Sequence, residues 1–530
     1  MKRNAILTIM ILAAAAATSA LSKETRPNIL FIMTDDQWRP EFNFLPEGRD
    51  EDGKPKNLTP TIDRLSSEGI ILDRMYATST VCTPSRFSVL TGEYPSRSQD
   101  KGFLQDMEAF GNQPNPHFNV HVTPGKANIG SVLKENGYFT GFAGKNHVLH
   151  SDTIKVPGIS PWRDADPFDA KTQEFLESKQ AAEVASVLQN GFDYAASIYA
   201  GNVPGHMPIK MEAHNQDWIT KGGLDFLEQA EKQDKPFYLH FCSTLNHGPG
   251  PAGHKYSANP RFTPAGVLGE PLQVQPARNT IPKRLKAAGY PPKGDHADAL
   301  WLDDGINAII TKLEEMGELD NTIIFFFVDN GMGAKGALYE GGAHVPAFVW
   351  GKNLKGKRRA DQLLANIDFA PTIYELCGIP ESKQPPMDGT SFTSVLQGDS
   401  KEVRKDVHLQ IGSSRAVLKD GFKYIAWRVH PDREEKFDIP KNGEPKPLYH
   451  IASTRGGRGL EKKIPKNYAA YWDIDQLYDL SKDPKEQKNL ANHPEYAQKL
   501  QQLKRTLMEQ LEGQPGTFAE FKPTTKLSGK

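Results

Sequence analysis

Four apolar runs in this sequence are each followed by residues that bind metals or move protons. NILFIM (28–33) runs into Thr34-Asp35-Asp36, YFTGFAG (138–144) into Lys145-Asn146-His147, and IIFFFV (323–328) into Asp329-Asn330, while PFYLHF (236–241) leads on to Asn246-His247. Asp35, Asp36, Asp329 and Asn330 offer carboxylate and carbonyl oxygens without soft donors. That set suits Ca2+ or Mg2+, with Ca2+ favoured outside the cell, whereas zinc would want more nitrogen or sulfur. Taken singly, each residue has a plainer reading as a helix cap, a turn or a satisfied loop histidine. Their repetition at the same place after four runs points to one site.

A fifth stretch, VCTPSRFSVLTG (81–92), holds one of only three cysteines in 530 residues. Thr83 is a good N-cap and Pro84 fits a first helical position, so a helix is expected through Ser85–Leu90, ending near Gly92. Cys82 then sits at the positive end of the helix dipole beside Arg86, a place that suits an anion and acidifies a thiol. A thiol nucleophile is the first reading. Cys242 and Cys377 lie in apolar contexts, YLHFCS and YELCGI, and read as buried small hydrophobes.

The elements that must position these residues are short apolar runs alternating with amphipathic segments, the pattern of a mostly parallel α/β sheet. Ligands of such sheets bind outside the carboxyl ends of the strands, where the four polar groups fall. Residues 303–321 have near-helical spacing and read as a crossover helix before IIFFFV, which makes Asp303 and Asp304 a helix-start feature. Residues 361–378 read as a strand entering a helix. Farther on, 413–428 alternates like a hairpin and 481–513 reads as a polar amphipathic helix. The polar segment 430–470 between them reads as a solvated loop, with Arg455, Arg458 and His450 as weaker candidates for substrate contact.

Lys+Arg 64 against Asp+Glu 65 leaves a net charge of −1, so no bulk attraction to nucleic acid or an anionic membrane is implied. No GxGxxG or GxxxxGK[ST] loop occurs in a plausible context, and no internal repeat is visible. The N-terminus MKRNAILTIMILAAAAATSALS has the layout of a cleaved signal peptide, with Lys2 and Arg3 before an apolar run and small residues after it. Export to the periplasm or medium is expected, without stable membrane insertion once residues 1–20 are removed.

Cys82-Thr83-Pro84-Ser85-Arg86 followed by Leu90-Thr91-Gly92 resembles the type I sulfatase signature C-x-P-S-R-x-x-x-L-T-G. The resemblance extends along the mature chain. RPNILFIMTDDQ is similar to that family's first strand and metal pair, GKNHV to its G-K-x-H segment, and NHGP to its P-H-x-P loop with Asn246 in place of proline. DNTIIFFFVDNG and GAKGALYEGGAHVP are similar to its D-N-G and G-K-x-x-x-Y-E-G-G segments, and Asp388–Ser391 and 477–491 to later landmarks. Only residues 331–334 separate Asn330 from Lys335, a shorter stretch than in many relatives, and His344 stands where arginine is common.

The resemblance implies an alkaline phosphatase-like α/β fold: a large, mostly parallel sheet sandwiched by helices, with a smaller C-terminal α+β domain carrying an antiparallel sheet. After the 1–20 signal peptide, 23–400 would be the catalytic domain and 401–530 the C-terminal one. It implies sulfate monoester hydrolysis, with Cys82 oxidised to Cα-formylglycine by a formylglycine-generating or anaerobic sulfatase-maturating enzyme. Asp35, Asp36, Asp329, Asn330 and the modified Cys82 would hold one Ca2+. Arg86 and Lys145 would stabilise the aldehyde hydrate, His147 would assist its collapse, and His247 and Lys335 would contact the sulfate, one of them protonating the departing alcohol. A sulfated carbohydrate is the expected substrate. Two rivals are carried forward: a formylglycine-dependent phosphoester or phosphonate hydrolase, and a catalytically idle secreted binding protein on the same scaffold.

Overall fold

The structure, a computed structural model, describes residues 26–109, 111–248, 256–399, 401–428, 464–471 and 473–518. Residues 1–20, and His450, Arg455 and Arg458, fall outside the described residues.

The main sheet is built from β1 (Asn28–Thr34), β2 (Ile70–Tyr76), β3 (Phe139–Lys145), β4 (Tyr194–Tyr199) and β5 (Phe237–Cys242). A two-stranded hairpin of β6 (Phe262–Thr263) and β7 (Gly266–Val267) lies apart from it. The sheet is completed by β8 (Thr322–Val328), β9 (Ala347–Trp350) and β10 (Arg359–Ala365), in the order β10-β2-β9-β8-β1-β5-β3-β4. The pairings β8-β1, β1-β5, β5-β3 and β3-β4 are all parallel, and only β9 runs against its neighbours β8 and β2. The four strands that end in polar residues are therefore the four adjacent central ones.

Central parallel strands are buried on both faces, which explains why they read as unbroken apolar runs. Phe325 and Phe327 turn to Phe369, while Phe326 between them turns to Phe42 and Phe348, following the two-residue strand period. Among the covering helices, Cys82–Thr91, Ile129–Glu135 and Phe369–Leu376 form one group, and Pro60–Glu68, Gln216–Ala230 and Asp295–Glu315 another. The last of these begins eight residues earlier than its sequence pattern suggests. Asp303 and Asp304 are thus mid-helix: Asp303 accepts the backbone N–H groups of Thr61 and Ile62 and caps the neighbouring helix, and Asp304 pairs with Arg284.

The C-terminal sheet has the order β11 (Asp406–Ile411), β12 (Ser414–Lys419), β13 (Phe422–Trp427), β14 (Asp475–Asp479), every pairing antiparallel. The helix on it is Ala497–Glu512, shorter than the 481–513 expected, and it docks through Leu500, Leu503 and Leu507. The inner side of this sheet shares a core with Val81, Ala334, Ala337, Leu338 and Tyr339. The smaller sheet therefore buttresses the segments that carry Cys82 and Lys335.

Candidate functional site

The strand ends converge because their loops are tied to one another. Asp35 N–H donates to Leu245 O at 2.8 Å and Asp329 N–H to Thr34 O at 3.2 Å, continuing the ladder beyond β1, β5 and β8. Asp36 and His147 sit in the left-handed region, with φ of 55° and 56°. This is a costly conformation for residues with a Cβ, and it is found where a strand end must turn a side chain into a site. Gly144 has φ 96°, and a Cβ there would lie 1.9 Å from the carbonyl oxygen of Cys242, so only glycine lets β3 deliver Lys145 beside β5.

Cys82 is the first residue of its helix, which runs to Thr91 and ends on Gly92 with φ 70°. The expected cap is absent: Val81 holds the N-cap position, and the Thr83 hydroxyl is buried without a hydrogen-bond partner. The Cys82 Sγ lies 3.4 Å from Asp35 Oδ1, 3.9 Å from Asp36 Oδ1 and 3.5 Å from Lys335 Nζ. Burial, reinforced by Asp35, pushes the thiol well above its ordinary range, against the pull of Lys145 and Lys335. Desolvation and the neighbouring carboxylates therefore oppose the helix dipole at this sulfur and disfavour a thiolate.

Around the sulfur stand three buried carboxylates and a shell of cations. Ligand atoms of Asp35, Asp36, Cys82 and Asp329 all lie within 4.8 Å of one another. Arg86 donates from Nε (3.1 Å) and Nη2 (2.9 Å) to Asp329 Oδ2, and from Nη1 to Lys145 O at 3.0 Å. Lys145 pairs with Asp35 and donates to Asn202 Oδ1 at 2.7 Å. Lys335 Nζ is 2.5 Å from both oxygens of Asp36, and His247 Nε2 is 3.3 Å from Asp36 Oδ2. Burial alone would raise both aspartates, but Lys145 with His247 and Arg86 holds Asp35 well below the carboxylate range, and Lys335 with His247 lowers Asp36. Asp329 goes the other way, pushed up to about 7 by burial and by Asp35.

The donor set fits a hard divalent cation. Asn330 Nδ2 donates to Asp36 Oδ1 at 2.8 Å, while its Oδ1 is buried without a hydrogen-bond partner. A buried amide oxygen beside three carboxylates is what an oxygen-seeking cation would satisfy.

Nine of the ten site residues singled out from sequence meet in this one network. His147 lies at its edge: its ring stacks on Phe118 at 5.7 Å, and its Nδ1 is buried and unpaired. Burial, with Lys145 and Arg86, holds it well below the usual histidine range. The same forces lower His247 to about 4: burial first, resisted by Asp36 and supported by Lys145. His344 instead bonds Glu340 and Asp73 O and stacks on Tyr76, a structural placement.

Sequence reading missed Asn202 and His206. They follow β4, so the strand-end rule applied to a fifth strand finds them. A Cβ on Gly201 would meet His147 and His206 at 3.1 Å each, which places both imidazoles around that glycine.

Comparison with known proteins bears on this arrangement. The sulfatase family model matches residues 27–379, and the model described as N-sulphoglucosamine sulphohydrolase, C-terminal, matches 329–466. An ulvan-active sulfatase of Formosa agariphila is 24% identical over 506 residues, covering 91% of this chain and 74% of that protein. Human arylsulfatase A is 24% identical over 528 residues, covering 92% and 89%. A chain solved in complex with its substrate D-glucosamine-2-N,6-O-disulfate superposes with a TM-score of 0.56 at 19% identity, over 92% of this chain and 98% of that one.

Proposed function

This chain belongs to the sulfatase family and is a sulfuric ester hydrolase, and from that premise we propose that it is exported and removes sulfate from a sulfated carbohydrate, using formylglycine made from Cys82 and one Ca2+. The observation that carries this reading is the cluster itself: Cys82 held between Asp35, Asp36 and Lys335, in a pocket whose burial suppresses thiolate chemistry. Relatives acting on ulvan, and a structural neighbour solved with a sulfated glucosamine, support the carbohydrate class. The N-terminal sequence supports export. Among the described residues no helix is long and apolar enough to cross a membrane.

Oxidised and hydrated, Cys82 would supply a geminal diol, one hydroxyl for attack on sulfur and the other for releasing sulfate without a second nucleophile. Asp35, Asp36, Asp329 and Asn330 would hold Ca2+, which supplies charge neutralisation for the sulfate oxygens and acidifies the attacking hydroxyl. Arg86, locked by Asp329 and the Lys145 carbonyl, keeps a fixed positive charge behind Cys82. Lys145, fixed between Asp35 and Asn202, donates toward the hydrate. His147, whose charged form is disfavoured by burial and the cations beside it and whose Nδ1 is unpaired, would be the group to take up a proton as the hydrate collapses. Lys335, on both oxygens of Asp36, and His247, facing its Oδ2, would be the two donors to the sulfate and the departing alcohol oxygen. Charge developing on oxygen thus meets preorganised donors in a desolvated pocket.

Co-expression with a maturation enzyme, mass spectrometry of the peptide containing Cys82, and sulfate release from defined sulfated oligosaccharides test this reading. Conversion to the aldehyde with release from a sugar is expected. A persistent thiol would remove the formylglycine step, and turnover of aryl phosphate exceeding aryl sulfate would favour the phosphoester rival.

A further inference from the structure

Two loops meet over the cluster, and a carboxylate outside it joins them. Glu41 ends the short 3-10 turn Arg39–Glu41, six residues beyond Asp35, and is only 7% exposed. Its Oε1 accepts the Trp38 N–H at 3.0 Å, and its Oε2 accepts Gln37 Nε2 at 3.0 Å and the Asn246 side-chain amide. Asn246 immediately precedes His247, whose N–H donates to Thr244 O at 3.1 Å and whose Nε2 faces Asp36. With the Asp35 N–H to Leu245 O bond, Glu41 fastens the loop after β5 to the loop after β1 at the two residues just ahead of His247.

We propose that Glu41 is a positioning residue that holds His247 against Asp36 by anchoring the Asn246 side chain. The claim rests on the reading of His247 as a group that meets the sulfate. Among the described residues, Gln37, Trp38 and Asn246 each donate to Glu41, and a carboxylate accepts on both oxygens, whereas a carboxamide turns its own donor toward donors in either orientation. Hydrogen bonds to a charged group are also the stronger kind. Glutamate is therefore the side chain that this junction requires, and loosening it frees the loop carrying His247.

The test is kinetics of the matured, Ca2+-loaded protein on p-nitrophenyl sulfate, with Glu41→Gln, Asn246→Ala, His247→Ala and the doubles Glu41→Gln/Asn246→Ala and Glu41→Gln/His247→Ala. Each of the first two should lower kcat on the order of tenfold, because a small misplacement of a catalytic group costs that much or more. KM should move less than about twofold. Both doubles should be no worse than their poorer single, the signature of residues acting as one unit. Additive losses in either cycle, a loss confined to KM, or wild-type kcat in Glu41→Gln would overturn the proposal. If Glu41→Gln fails to fold, Asn246→Ala combined with His247→Ala asks the same question, and additivity there is equally fatal. Wild-type kcat in His247→Ala alone would sink the reading of the site beneath it, while the Glu41–Asn246 cycle would still show whether those two act together.

Discussion

Lys335 Nζ stands 2.5 Å from both carboxylate oxygens of Asp36 and 3.5 Å from the sulfur of Cys82, although 253 residues separate it from that cysteine. A protonated lysine there is stabilised by its surroundings: burial opposes its charge, but Asp36, Cys82 and Asp35 together more than compensate and push it above the ordinary lysine range. Lys335→Met keeps the length and removes the charge. Its kcat on sulfate esters should fall on the order of 10²–10³-fold, the usual cost of losing one oxyanion donor. Steady-state kinetics with circular dichroism to verify the fold decides it, and a loss under about threefold would contradict the assignment.

Metal binding should be separable from turnover. Cys82→Ala should fold, keep a Ca2+-dependent rise in Tm by mass action, and release no sulfate. Asn330→Ala, which removes the unpaired buried oxygen, should lose most of that Ca2+-dependent rise. Thermal unfolding with chelator and with graded Ca2+ reads both, and sulfate release by Cys82→Ala would refute the nucleophile.

A buried charge cluster at the junction of the two sheets should set part of the pH dependence of stability. Lys423 Nζ bonds Glu340 Oε1 at 2.7 Å and Glu486 Oε1 at 2.9 Å. Burial, and the neighbouring carboxylate of Glu340, push Glu486 up to about 7 despite Lys423. A folded value above the unfolded one means the folded state holds the proton longer, so this contribution is full below about 4.5 and is lost as pH rises to about 7. Glu486→Gln should flatten that slope, by about 1–3 kcal/mol across the window. Denaturant midpoints at several pH values for both proteins measure it, and an unchanged slope would refute it.

Gly144→Ala should be among the most damaging single-methyl changes in the chain. The added carbon would lie 1.9 Å from Cys242 O, at a positive φ, in the strand that delivers Lys145. A loss of more than about 3 kcal/mol in unfolding free energy is expected, the range for combined steric and backbone strain. Activity should be lost with it. Stability within about 0.5 kcal/mol of wild type would show that β3 can shift without consequence.

The individual residues show where legibility ended. The four strand ends were readable because centrally buried parallel strands must be apolar throughout, so their first polar residues mark where the sheet stops and a site begins. Thr83 and Pro84 misled the cap assignment, because local propensity yields to packing: Thr83 is fully buried and Val81 takes the cap. Asp303 misled in the same way, since its partner is the start of a helix 242 residues away. Glu41 was invisible for a plainer reason. A side chain that fixes another residue's geometry carries no periodicity or spacing of its own.

The sequence alone thus determined the apolar strands, the polar residues that end them, the precursor cysteine and the family resemblance, because each is a local property of residue type and order. The tertiary structure decided what those residues are chemically. Burial and Asp35 raised the thiol that the helix dipole alone would acidify, neighbouring cations lowered Asp35 and Asp36 while burial and Asp35 raised Asp329, and the fold set Lys335 on Asp36. Those outcomes depend on desolvation and on charges a few ångströms away that come from other strands, and neither is written in any single stretch of chain.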